Sequence, residues 1–136
     1  MRAFRKSATL FVLGFVILPA LAADRDAQGW RPSVTEAALL PKFCWQQFFG
    51  SKFKGPEFEI PRDTCGVGMN HYCPGLVLLN RATRSFDSYE KKGWLEGAEG
   101  QVLYTVRALK NYPRCPLRPE IEGTYQRIER DLRSLQ

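Results

Sequence analysis

The chain has 136 residues, 44% of them hydrophobic and 25% charged, with 20 Lys+Arg against 14 Asp+Glu for a formal charge of +6. That length allows one small domain and little more. Arg2, Arg5 and Lys6 stand at the very start; without them 17 basic residues face 14 acidic ones, a charge of +3 spread over both signs, which excludes the concentrated basic stripe of a nucleic-acid binder.

Those three cations precede an uncharged apolar run from Ala8 to Leu18, and Pro19-Ala20-Leu21-Ala22 sets small residues at a cleavage position. A basic n-region, an apolar h-region and an A-x-A site predict a signal peptide over 1–22 and a periplasmic or secreted product. The run is short of the roughly 20 apolar residues that span a bilayer, so no stable membrane insertion is expected after cleavage. Residues 23–32 are polar and read as a flexible mature N-terminus in which Trp30 is the aromatic expected to be exposed. A single helical domain is expected over 33–136.

Ser33-Val34-Thr35-Glu36 has the S-x-x-E form of a capping box, followed by Ala37, Ala38, Leu39 and Leu40. Pro41 suits a first helical position and predicts a second helix carrying Phe43, Cys44, Trp45, Phe48 and Phe49 until Gly50 stops it. Residues 51–69 hold five Gly or Pro residues and no sustained period. They read as an ordered loop, held by Cys65 and pinned by Phe53, Phe58 and Ile60; a strand over Glu57–Ile60 would find no partner.

Asn70 is expected to cap a helix to about Arg84, with Pro74 in its first turn, where backbone N–H groups have no intrahelical partner. Tyr72, Leu76, Leu79 and Ala82 make its apolar face, widened by Val77 and Leu78. Asp87 or Ser88 caps the longest helix, to about Lys110, whose face runs Trp94, Leu95, Ala98, Val102, Thr105, Val106 and Leu109. Gly97 and Gly100 inside it suggest close helix approach. Asn111-Tyr112-Pro113 ends it. Pro119 opens the last helix, with Ile121, Tyr125, Ile128, Leu132 and Leu135 on one stripe. The fold class is all-α: an antiparallel helical hairpin with flanking helices and one long ordered loop.

Four cysteines, Cys44, Cys65, Cys73 and Cys115, in a short exported chain argue for two disulfides. If the helices over 70–84 and 88–110 form an antiparallel hairpin, the start of the first lies near the end of the second. That favours Cys73–Cys115 with Cys44–Cys65; loop geometry also permits Cys44–Cys73 with Cys65–Cys115.

The stretch Cys65-Gly66-Val67-Gly68-Met69-Asn70-His71-Tyr72-Cys73 is the most distinctive. Thiolate, thioether and imidazole suit a soft metal such as copper, so a metal module using Met69 and His71 is one reading. Oxidised sulfur is a poor ligand, however, and the structural reading is preferred, with no metal and no cofactor. No catalytic residue is assigned: the cysteine count is even, no G-x-S-x-G elbow or phosphate-cradling loop occurs, and Glu96 and Glu99 sit among Lys91, Lys92 and Arg107 as a solvated face. A pocket beside His71 and Tyr104 would favour a small envelope enzyme or inhibitor instead.

Asn70-His71-Tyr72-Cys73-Pro74-Gly75-Leu76 followed by Leu79-Asn80-Arg81-Ala82, with Leu40-Pro41-Lys42-Phe43-Cys44 upstream and Val102-Leu103-Tyr104-Thr105-Val106 and Leu117-Arg118-Pro119-Glu120-Ile121 downstream, resembles an exported proteobacterial family of tetratricopeptide-like helical proteins with an H-Y-C-x-G-L segment. The resemblance implies paired antiparallel helices and a partner-binding surface rather than a reaction. Ala108 and Pro113 keep the repeat's spacing, but its Trp-Leu-Gly-Tyr half has no counterpart and no second repeat exists, which excludes a long solenoid groove. The function expected is that of an exported, disulfide-stabilised protein-interaction module whose partner is another envelope or secreted protein. Asn70, His71 and Tyr72 are its candidate binding residues, with Trp94, Tyr104 and Arg107 as neighbours from the facing helix.

Overall fold

A computed structural model describes residues 31–136; the expected signal peptide, Trp30 and most of the expected flexible N-terminus over 23–32 lie outside the described residues. Among the described residues six α-helices follow one another: α1 (Val34–Ala37), α2 (Trp45–Phe49), α3 (Arg62–Cys65), α4 (Met69–Arg84), α5 (Ser88–Ala108) and α6 (Arg118–Arg133). Short 3-10 turns fill the intervals, and no strand occurs among the described residues. The segment over 57–60 carries a 3-10 turn (Pro56–Phe58) instead.

The capping box forms as read. The Ser33 hydroxyl accepts from the Glu36 N–H, and the Ser33 N–H donates to the Glu36 carboxylate. Pro41 opens a 3-10 turn (Lys42–Cys44) rather than an α-helix, and α2 begins only at Trp45, ending where Gly50 takes φ +67. Trp45, Phe53 and Phe58 form an aromatic knot, with Phe53 5.1 Å from Trp45 and 5.4 Å from Phe58 between ring centroids. This knot fastens the irregular segment to α2 without regular backbone pairing.

α4 is the central helix. Tyr72, Leu79 and Ala82 belong to the main core with Leu95, Ala98, Val102, Ile121 and Ile128 of α5 and α6. Cys73 and Val77 face the other way, into a second cluster with Leu40, Cys44 and Phe48. Burial on two sides explains why its apolar stripe is broad in the sequence.

The helix starts two residues earlier than expected. Gly68 occupies the cap position, so Asn70 is the second helical residue and caps nothing. A Cβ at Gly68 would stand 2.4 Å from the Ala108 Cβ, and one at Gly75 would stand 2.6 Å from Val102 Cγ2. The close approach of the hairpin therefore rests on the glycines of α4. On α5, Gly97 has only Leu78 Cδ1 at 3.1 Å and Gly100 has nothing within 4 Å. The wholly buried Thr105 donates its hydroxyl to the Gly68 carbonyl at 2.9 Å, fastening the same register.

That register corrects the favoured disulfide pairing. The bonds are Cys44–Cys73 and Cys65–Cys115. Residue 68 lies against 105 and 108, and residue 75 against 101 and 102. Cys73 is thus level with the middle of α5, well short of Cys115. The cysteine that meets Cys115 must precede Gly68, and Cys65 does. Cys73 points away from α5 and reaches Cys44 in the second cluster. No free cysteine remains among the described residues, and two disulfides place the domain in an oxidising, non-cytoplasmic environment. No helix among the described residues is long and apolar enough to cross a membrane.

Candidate functional site: an amide-lined cleft beside His71

Pro74 falls in the second turn of α4, not the first, and its missing N–H leaves the Asn70 carbonyl without its intrahelical donor. Gln47 of α2 supplies the replacement: its Nε2 donates to that carbonyl at 2.6 Å. The Cys44–Cys73 bond holds α2 and α4 together beside this contact. A proline inside a helix is tolerated here because a side chain from another element satisfies the group it orphans.

Above this junction lies a cleft of about 540 Å³, lined by Gln46, Gln47, Arg62, Asn70, His71, Pro74 and Gln101. A second depression of about 420 Å³ shares Gln46, Gln47 and Arg62 and adds Glu59 and Ile60. Four segments of chain converge on the cleft, from α2, α3, α4 and α5.

His71 is oriented from α5. Its Nδ1 lies 2.7 Å from Gln101 Oε1; an amide oxygen only accepts, so Nδ1 carries the proton and Nε2 is left as an acceptor in the neutral ring. The ring packs on Tyr104 with centroids 3.9 Å apart at 36°, and Tyr104 is 53% exposed. Arg62 of α3 donates from Nη2 to Asn70 Oδ1 at 3.3 Å. Gln47 Oε1 is buried without a hydrogen-bond partner among the described residues.

Three of the six expected binding residues meet at this place: Asn70, His71 and Tyr104. Tyr72 does not. It is wholly buried, its hydroxyl donates to Glu120 at 3.0 Å and lies 3.1 Å from the Thr124 hydroxyl, and burial with the nearby Glu120 carboxylate raises its pKa well above the ordinary tyrosine value. A helical neighbour of His71 points about 100° around the axis, which turns Tyr72 into the core. Trp94 packs instead against the Arg81 guanidinium, 5.3 Å from the ring, ten residues further along α4 or about 15 Å. Arg107 is exposed, and its charge bears on Tyr125 of α6.

Met69 is wholly buried in the main core. It is not placed to join His71 in a solvent-facing metal site, and among the described residues no group of three or more His, Cys, Asp or Glu stands together. Among the described residues the lining of the cleft holds no Ser, Thr, Cys or Lys, and an amide rather than a carboxylate orients the imidazole.

Gln46, Gln47, Arg62 and Gln101 were not among the residues singled out from the sequence. No motif marks them; Pro74, four residues after Asn70, signals only that the Asn70 carbonyl needs a donor from another element, the role Gln47 fills. Compared with protein-family models, with curated proteins and with solved structures, the chain finds no significant match.

Proposed function

We propose that the chain is an exported recognition domain that binds another periplasmic or secreted protein through the cleft beside His71. The observation that carries this reading is the half-buried His71 ring packed on the exposed Tyr104, at the edge of a cleft walled by the amides of Gln46, Gln47, Asn70 and Gln101 with Arg62 and Pro74. Aromatic groups held rigid beside hydrogen-bonding side chains are the usual anchors of protein interfaces. One disulfide ties the turn before α2 to α4 and the other ties α3 to the segment after α5, so little side-chain or loop ordering is left for the partner to impose.

Export rests on the leader composition together with the oxidised cysteines. The resemblance to the exported H-Y-C-x-G-L family fits the same reading, since Asn70, His71 and Pro74 of that segment line the cleft.

The test is photocrosslinking in the native host, with a photoreactive amino acid replacing Gln46, Tyr104 or, as a control on α6, Glu129. The first two positions are expected to give one and the same discrete adduct to the protein processed at Ala23, and the third none. Adducts absent from both cleft positions, or equally abundant at Glu129, would overturn the proposal.

A further inference from the structure

The cleft's hydrogen-bonding groups are unevenly used. The Asn70 carbonyl accepts from Gln47, Asn70 Oδ1 accepts from Arg62, and Gln101 Oε1 accepts from His71. Gln47 Oε1 is buried and so closed to a ligand. The acceptors of the wall are therefore mostly occupied from within. The donors are not: Asn70 Nδ2, Gln101 Nε2 and the remaining N–H groups of Arg62 have no partner among the described residues. Gln46, which also lines the cleft, has no hydrogen-bond partner for either amide atom among the described residues.

Charge runs the same way. Arg62 makes no ion pair among the described residues, where the pairs are Arg81–Glu36, Lys92–Glu96, Arg118–Glu122 and Arg127–Asp131. Among the described residues no carboxylate lines the cleft beside His71; Glu59 lines the adjoining depression with Ile60 and Arg62, and Glu59 and Asp63 line a further depression that Arg62 shares. A wall that offers N–H groups around one guanidinium and few open acceptors is complementary to a group that only accepts and is negatively charged.

We infer that the cleft is a subsite for a carboxylate of the partner polypeptide, held by Arg62 with the Asn70 and Gln101 side-chain amides. The inference rests on the recognition reading and names the chemistry of what is recognised. His71 Nε2 is the acceptor left for a backbone N–H of the same segment, and Ile60 beside Glu59 receives an adjacent apolar side chain. The carboxylate belongs either to an Asp or Glu side chain or to a chain terminus.

Three short peptides separate these sources: an acetylated and amidated leucine-glutamate-leucine peptide, its glutamine counterpart, and the glutamine peptide with a free C-terminal carboxylate. They are titrated into the isotope-labelled, oxidised protein while the side-chain NH₂ signals of Asn70 and Gln101 and the Nε–H signal of Arg62 are followed. Saturable shifts of these signals are expected with one or both carboxylate peptides and not with the neutral one. Hydrogen bonds to a charged group lead to an expected loss of about tenfold in affinity for Arg62→Gln, with Lys92→Gln within about twofold of the wild type. Equal binding of the neutral peptide, no shift with any of the three, or an equal loss in Lys92→Gln would overturn the inference. If the Gln46 adduct in the native host survives Arg62→Gln at full yield, the carboxylate subsite falls while the recognition reading stands.

Discussion

Glu36 offers a sharp test of how the N-terminal segment is held. Its carboxylate caps α1 through Ser33 and also receives Arg81, with Nε at 2.7 Å from Oε1 and Nη2 at 3.3 Å from Oε2. The same guanidinium donates to the Arg31 carbonyl, so one side chain of α4 gathers the start of the described chain. The Arg81 hydrogen bond, assisted by Ser33 and the Arg81 charge and opposed by burial, lowers the Glu36 pKa from 4.5 to about 2. A shift of that size corresponds to about 3.4 kcal/mol at most, at about 1.36 kcal/mol per unit. Both side chains keep contact with water, at 20% and 16% exposure, and screening reduces the expected contribution to about 1–2 kcal/mol.

Because the folded pKa lies below the unfolded one, this stability is present above pH 4.5 and is lost as pH falls towards 2. The assay is urea unfolding of the oxidised protein and of Glu36→Gln between pH 6 and pH 2. The other carboxylates titrate in both proteins and cancel in the difference. Wild type is expected to exceed the variant at pH 6 by about 1–2 kcal/mol and to converge on it by pH 2, with unchanged m-values. A difference that stays constant over this range would refute the assignment of the shift to the Glu36–Arg81 pair.

Gly75→Ala places a methyl group 2.6 Å from Val102 Cγ2; overpacking of about 1–3 kcal/mol outweighs a helix-propensity gain of about 1 kcal/mol, so thermal unfolding should show a net loss of roughly 1 kcal/mol. Gly100→Ala meets nothing within 4 Å and should stabilise by up to about 1 kcal/mol in the same measurement. Mass spectrometry of a non-reduced digest should recover peptides linking Cys44 to Cys73 and Cys65 to Cys115, and Cys73 linked to Cys115 would refute the hairpin register. Removing the Cys65–Cys115 pair, which closes a separation of 50 residues, should cost about 4 kcal/mol in urea unfolding.

Most of the helices were legible in the residues because they carry local signatures, though α3 was not and the caps of α2 and α4 were misplaced. Ser33 and Glu36 form their reciprocal cap, Asp87 accepts from the Glu90 N–H to start α5, and the Ile121–Ile128 stripe of α6 is buried. The loop over 51–69 was readable only in part: Gly and Pro deny it a regular period, but the single-turn helix α3 within it was not expected, and Met69 belongs to α4. The cleft was legible only in part. Asn70, His71 and Tyr104 stood out as residue types, yet Tyr72 was counted with them although it turns inward, and Arg62 and the three glutamines carried no periodic or motif signal.

By itself, then, the sequence determined an all-helical chain with caps, stops and an even set of cysteines suited to oxidation. These depend on neighbours within a turn or two, or on simple number. Only the tertiary structure decided which sulfurs meet and what lines the cleft. Periodicity marks one face of each helix but not how far that helix slides along its neighbour; the contacts of Gly68 and Gly75 with α5 settle that, and Cys65 rather than Cys73 then reaches Cys115. The cleft likewise joins residues from Gln46 to Gln101, and its supply of free donors exists only because its acceptors are occupied by bonds between elements far apart in the chain.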